Sequence, residues 1–163
     1  MMTPSAIILG VGLVAAAGAL TWSAVSDVRA YRIPNWTSIL IAAAYLVVGL
    51  FTPYAPLLWS VVTGGVVLGL GLGLFALGWM GGGDVKLFSA MALWSGPAHL
   101  APFALLTSLA GAVLALVMLS PLRRMAPSPS AEARAMTGQP MPYGVAIAAG
   151  GAWVLSLYAP FLT

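Results

Sequence analysis

A chain of 163 residues that is 61% hydrophobic and 6% charged cannot cover a water-facing surface, because a soluble domain carries about 25% charged residues. The formal net charge of +3 is too thin for a nucleic-acid footprint, and the absence of cysteine excludes disulfides, thiol nucleophiles and cysteine-built zinc sites. With a mean hydropathy of +1.04, the composition predicts an all-α polytopic membrane protein, one domain over residues 1–163, with the lipid bilayer as its solvent.

The first apolar run, about residues 5–26, lacks a basic leader region and is long enough to span, so it reads as a helix rather than a cleaved signal. It stops at Asp27, followed by Arg29, Arg32 and Ile33-Pro34-Asn35. Proline disfavours helix in the residue before it, and Asn35 is a good N-cap for a second segment over 36–51. A third covers 57–80, where Gly65, Gly69 and Gly73 recur every four residues and predict close helix packing. Gly81-Gly82-Gly83 then breaks the run, and Asp84 opens a short segment, 84–95, ending at Gly96-Pro97. Twelve residues make roughly 18 Å of helix against a core of about 30 Å, so Asp84 is expected below the membrane surface, beside a hydrated pocket. Segments over 100–119 and 142–157 complete six spans, separated by a polar loop over 120–141.

All six basic residues fall in alternate loops: Arg29 and Arg32; Lys86; Arg123, Arg124 and Arg134. The positive-inside rule places those loops in the cytoplasm and both termini outside. Asp27 and Asp84 then share the cytoplasmic face, whereas His99, the only histidine, falls at the other and reads as a loop residue.

Ionisable groups at the ends of apolar segments are functional-site candidates. Two carboxylates in one site share a proton, one activating water while the other polarises a carbonyl. That chemistry cleaves a peptide with no metal or other cofactor. The plainer reading pairs Asp27 with Arg29 or Arg32 and Asp84 with Lys86. Two further classes stay open. A small transporter or channel component would use the aspartates as proton or cation relays, and a non-catalytic membrane assembly subunit would tolerate asparagine at both.

The stretch Asp27-Val28-Arg29-Ala30-Tyr31-Arg32-Ile33-Pro34-Asn35, together with Gly81-Gly82-Gly83-Asp84-Val85-Lys86-Leu87, resembles the two motifs of the type IV prepilin peptidase family. These are intramembrane GxGD aspartic proteases, related to preflagellin peptidases and distantly to presenilin. Pro142-Tyr143-Gly144 is similar to the family's Pro-aromatic-Gly element at the start of the last helix. The resemblance implies that Asp27 and Asp84 are the catalytic pair. Gly81, Gly83, Lys86, Arg29, Pro34 and Asn35 would support the motif loops, and Pro142, Tyr143 and Gly144 would position substrate. It also implies cleavage of a short basic leader from a prepilin or pseudopilin helix at the cytoplasmic face of a bacterial inner membrane. Longer members carry an N-terminal cysteine-bearing region and N-methylate the product. The chain looks like the short, peptidase-only form associated with tight-adherence (Flp-type) pili, with no nucleic-acid partner.

Overall fold

Helices follow one another from Pro4 almost without pause, because each apolar run satisfies its own backbone hydrogen bonds where water is absent. The computed structural model describes residues 3–120 and 141–162, and among these there is no strand. The elements are α1 (Pro4–Ala30), α2 (Asn35–Phe51), α3 (Leu57–Ala76), α4 (Gly82–Leu119) and α5 (Gly144–Ser156), then a 3-10 turn (Ala159–Leu162). Arg123, Arg124, Glu132 and Arg134 of the predicted polar loop lie outside the described residues. Helices α1, α3 and α4 are long and apolar enough to cross a membrane; α2 and α5 are shorter apolar helices of 17 and 13 residues. Large apolar side chains such as Val14, Leu58, Leu70 and Leu116 stand exposed on their outer faces, as a lipid-facing surface requires. The chain is a membrane protein.

Several boundaries differ from the predicted ones, each for a local reason. Helix α1 opens with Thr3 Oγ1 accepting the Ala6 N–H at 3.2 Å and Pro4 in the first turn. It runs past Ser26 to Ala30, so Asp27 occupies its last turn. Tyr31, in the left-handed region at φ 51°, closes it by donating its N–H to the Asp27 carbonyl at 2.8 Å. Asn35 is not the predicted N-cap: Pro34 holds that position, and the Asn35 side chain is used elsewhere. Helix α3 stops at Ala76 rather than Met80, just before Gly78 at φ 74°. Helix α4 starts at Gly82, with Gly81 as its N-cap, so Asp84 falls within the first turn.

The segments predicted over 84–95 and 100–119 are the two limbs of α4, which has 38 residues. A straight helix of that length would run about 57 Å, nearly twice a bilayer core. Gly96, at φ 56° and ψ −174°, breaks it, and Pro97 has no N–H to restore the ladder. The Phe88 and Phe103 rings stack at 4.6 Å, so the limbs fold back side by side. Polar side chains take up the carbonyls at the bend. Ser95 Oγ donates to the Ala92 carbonyl at 3.0 Å, and the Tyr158 hydroxyl to the Trp94 carbonyl at 2.8 Å. Trp94 itself is buried, with its Nε1–H on the Ile41 carbonyl at 3.0 Å and its ring edge-on to Tyr45 and Tyr158. Replacing Tyr158 by Phe removes a donor from a buried carbonyl and is expected to cost about 1–3 kcal/mol of stability. Reversible unfolding in mixed micelles checks this.

The predicted packing face of α3 is a correction. A Cβ built on Gly65, Gly69 or Gly73 would have nothing within 4 Å, so that face lies open. The close approaches come from Gly64, whose Cβ would meet Leu93 Cδ2 at 2.6 Å, and Gly71, whose Cβ would meet Val85 Cγ1 at 2.7 Å. A four-residue glycine repeat marks a smooth helix face; which smooth face meets α4 depends on where α4 lies.

Candidate active site

Three helix ends and one loop converge around Asp27 and Asp84. Asp27, in the last turn of α1, is buried at 5% exposure, and Asp84, in the first turn of α4, is half-buried. The two carboxylates lie within electrostatic reach of each other. Two aspartates far apart in sequence thus share one neighbourhood, because α1 ends and α4 begins at the same end of the bundle.

Ile33 packs between the segments that carry them. A Cβ on Gly83 would meet Ile33 Cβ at 3.1 Å, and one on Gly144 would meet Ile33 Cδ1 at 3.0 Å. The side chain therefore packs on the bare backbones of α4's first turn and of α5's start. Below it, the Ser23 and Thr37 hydroxyls lie 2.7 Å apart, and Thr37 Oγ1 donates to the Pro34 carbonyl at 2.8 Å. These contacts brace the 31–34 connection against α1. Ser26 Oγ adds a bond to the Arg32 carbonyl at 2.8 Å.

Each carboxylate also leans on a glycine. The Gly144 N–H, at the N-terminus of α5, donates to Asp27 Oδ2 at 2.6 Å, across 117 residues of sequence. A helix N-terminus presents unsatisfied N–H groups and a positive dipole end, so it holds a carboxylate oxygen in place. Oδ2 is thereby engaged, which leaves Oδ1 for other chemistry. Gly81 plays the matching part for Asp84: its backbone faces the carboxylate, and a Cβ there would meet Asp84 Oδ2 at 2.7 Å.

The remaining predicted residues divide. Lys86 does not pair with Asp84; its Nζ donates to Asn35 Oδ1 at 2.9 Å, tying α4 to the start of α2. The side chain expected to cap α2 instead links the two aspartate-bearing segments. Pro34 is half-buried at the N-cap of α2, and Pro142 is buried just before α5. Arg29 is exposed in the last turn of α1, and among the described residues it makes no ion pair with Asp27. Tyr143 lies with its ring against Gly111 of α4's second limb. His99 stands in a helix rather than a loop, at the start of that limb, its ring 6.2 Å from Trp153. Sequence reasoning assigned no role to Ile33, Ser23 or Thr37. Only an apolar residue flanked by motif residues hinted at the first, and nothing distinguished the hydroxyls.

Asn35→Ala is expected to lower turnover on peptide substrate about threefold to tenfold, corresponding to loss of one partly exposed hydrogen bond to a charged group. Lys86→Arg, which keeps a donor there, should fall less than Lys86→Met. Steady-state cleavage of the three variants decides this.

The arrangement provides two carboxylates, one held by a backbone N–H, at the end of an apolar helical bundle. Such a pair can bind one proton and one water between them. Neither the curated proteins nor the solved structures contain a match to this chain. The family model described as Type IV leader peptidase family matches residues 14–116, a stretch that contains Asp27, Asp84 and the whole of both motifs. With well over half of its length matched, the chain belongs to the type IV leader peptidase family.

Proposed function

We propose that the chain is a membrane-embedded aspartic endopeptidase that removes the short basic leader of type IV prepilins, of the Flp class, at the cytoplasmic face of a bacterial inner membrane. The observation that carries this reading is the meeting of Asp27 and Asp84 around Ile33, with Gly144 gripping one of them. Charge distribution supports six crossings, with both termini outside and the aspartate end toward the cytoplasm. The break at Gly96 in α4, with its two limbs side by side, supports counting two crossings there.

The substrate's apolar helix enters from the lipid while its basic leader stays in water. The scissile bond must leave the helix, since an α-helix holds its carbonyls in i→i−4 bonds. With one proton shared by the pair, the ionised carboxylate takes a proton from water as the water oxygen attacks the peptide carbonyl carbon. The protonated partner donates its proton to the carbonyl oxygen, giving a tetrahedral gem-diol. In the collapse the carboxyl that took the water proton gives it to the amide nitrogen, the partner carboxylate takes a proton from a gem-diol hydroxyl, the C–N bond breaks, and a carboxylic acid and an amine leave with the shared proton restored. Because Gly144 engages Asp27 Oδ2, the reacting oxygen of Asp27 is Oδ1. Gly81-Gly82-Gly83, free of side chains, gives the extended substrate room beside Asp84.

The test is direct. Purified wild-type protein in lipid vesicles is incubated with an Flp-type prepilin, and the products are weighed by mass spectrometry. Two products with masses that sum to the prepilin plus one water, cut at the leader boundary, support the reading. An intact prepilin, or a cut elsewhere in the chain, overturns it.

A further inference from the structure

Helix α5 has only 13 residues, yet its first N–H meets Asp27 Oδ2 at 2.6 Å. A slide of about 0.5 Å along its axis, a third of the rise per residue, spans the whole range over which N–H···O bonds vary. The axial position of α5 therefore decides whether Asp27 keeps its backbone donor. The helix does little to fix that position itself. Its first turns read Gly144-Val145-Ala146-Ile147-Ala148-Ala149-Gly150-Gly151, a run of small side chains with little relief.

The second limb of α4 supplies the relief. Phe103, Thr107 and Gly111 recur every four residues, share one helix face and are all buried. Toward the hairpin, a Cβ on Gly150 would meet Phe103 Cδ2 and Cε2 at 3.2 Å, so the α4 ring fills a notch in α5. At the aspartate end the roles reverse, with the notch in α4 and the ring on the α5 side. A Cβ on Gly111 would meet Tyr143 Cε2 at 2.5 Å, Oη at 2.9 Å and Cζ at 3.0 Å. A ring seated in a notch resists sliding both ways, because protein interiors pack as densely as organic crystals. Tyr143 is also the N-cap of α5, its carbonyl accepting the Ile147 N–H at 3.1 Å. The seated ring and the donor to Asp27 are thus carried by adjacent residues.

We infer that Gly111 is a positioning residue for the reaction: by seating the Tyr143 ring it fixes the height of α5 and aims the Gly144 N–H at Asp27. The inference rests on the protease reading and deepens it. Gly111 stands outside both aspartate motifs, on the limb of α4 that carries no acidic residue. Tyr143, which the resemblance casts as a substrate contact, acts here on the enzyme itself.

Tyr143-Gly144 is the only Tyr-Gly pair in the chain, so carbonyl-13C tyrosine with 15N-glycine marks the Gly144 amide uniquely. A charge-assisted bond protects that amide from hydrogen exchange. In mixed micelles, Gly111→Ala is expected to lower its protection about tenfold, toward the value found in Asp27→Ala. The Tyr143→Ile background makes room for the added methyl, and there the effect of Gly111→Ala should fall below about threefold. In that background carbonyl-13C isoleucine replaces the tyrosine label, since the native chain has no Ile-Gly pair. Unchanged protection in Gly111→Ala, or an equal loss in both backgrounds, overturns the proposal. If Gly111→Ala fails to insert, Tyr143→Ile alone, which empties the notch, decides: a loss of about tenfold supports the seat and unchanged protection overturns it. On active protein, Gly111→Ala should lower kcat about tenfold with KM within about twofold. A loss carried by KM, or by a lower unfolding midpoint with kcat per folded molecule unchanged, is what a purely structural glycine gives and overturns the positioning role. The amide measurement needs no substrate, so wild-type cleavage of prepilin, followed in parallel, reports separately on the protease reading.

Discussion

Asp27→Asn and Asp84→Asn are each expected to lower leader removal by about 10³-fold or more, and the double variant should be hardly worse than either single one. Asparagine matches aspartate in shape but neither accepts a proton nor ionises, so water activation and carbonyl protonation both fail when one proton must serve two groups. The non-additivity is the decisive part. Two independent interface charges, one paired with Arg29 and the other with Lys86, would give small losses that add. A pair acting as a unit loses nearly everything at the first substitution. Single-turnover cleavage in vesicles, with membrane insertion of each variant verified, separates the two. Near-normal cleavage by either single variant would remove that aspartate from the chemistry.

Gly144→Ala should cost about 10²-fold in kcat, although helix propensity alone favours the alanine. In a helix, alanine is ordinarily favoured over glycine by about 0.5–1 kcal/mol, so local propensity alone predicts a gain. The packing decides otherwise. The added Cβ would stand 2.8 Å from Asp27 Oδ2 and 3.2 Å from Asp27 Cβ, with Ile33 Cδ1 at 3.0 Å. Rotation would relieve a contact with Asp27 Oδ2 alone, but a clash with Cβ requires α1 or α5 to shift, and with them the Gly144 N–H bond of 2.6 Å. Gly81→Ala makes the instructive contrast. Its Cβ would meet Asp84 Oδ2 at 2.7 Å but Asp84 Cγ only at 3.7 Å, so the carboxylate can rotate away. A smaller loss, about tenfold or less, is expected there. Comparing kcat with unfolding midpoints for the two variants checks both. A Gly144→Ala protein with wild-type kcat would show that the backbone bond to Asp27 is incidental.

Much of the molecule was readable before folding because a bilayer restricts what a chain can do. Apolar runs broken by Pro34, Gly81-Gly82-Gly83 and Gly96-Pro97 announce helices and their ends, since unsatisfied backbone groups are not tolerated in hydrocarbon. The two aspartates stood out for a related reason: charge is so rare here that its placement carries information. What the linear pattern left undetermined is lateral arrangement, because 3.6-residue periodicity is faint in helices that are apolar on every side. Hence Gly65, Gly69 and Gly73 drew attention while Gly64 and Gly71 make the contacts. Asn35 looked like a cap, yet it binds Lys86, since a partner 51 residues away is invisible to local rules. The grip of Gly144 on Asp27 and the wedge of Ile33 between two glycines arise only when α1, α4 and α5 end together. Burial, close approach and a shared proton are properties of side chains in three dimensions, and tertiary packing alone supplies them.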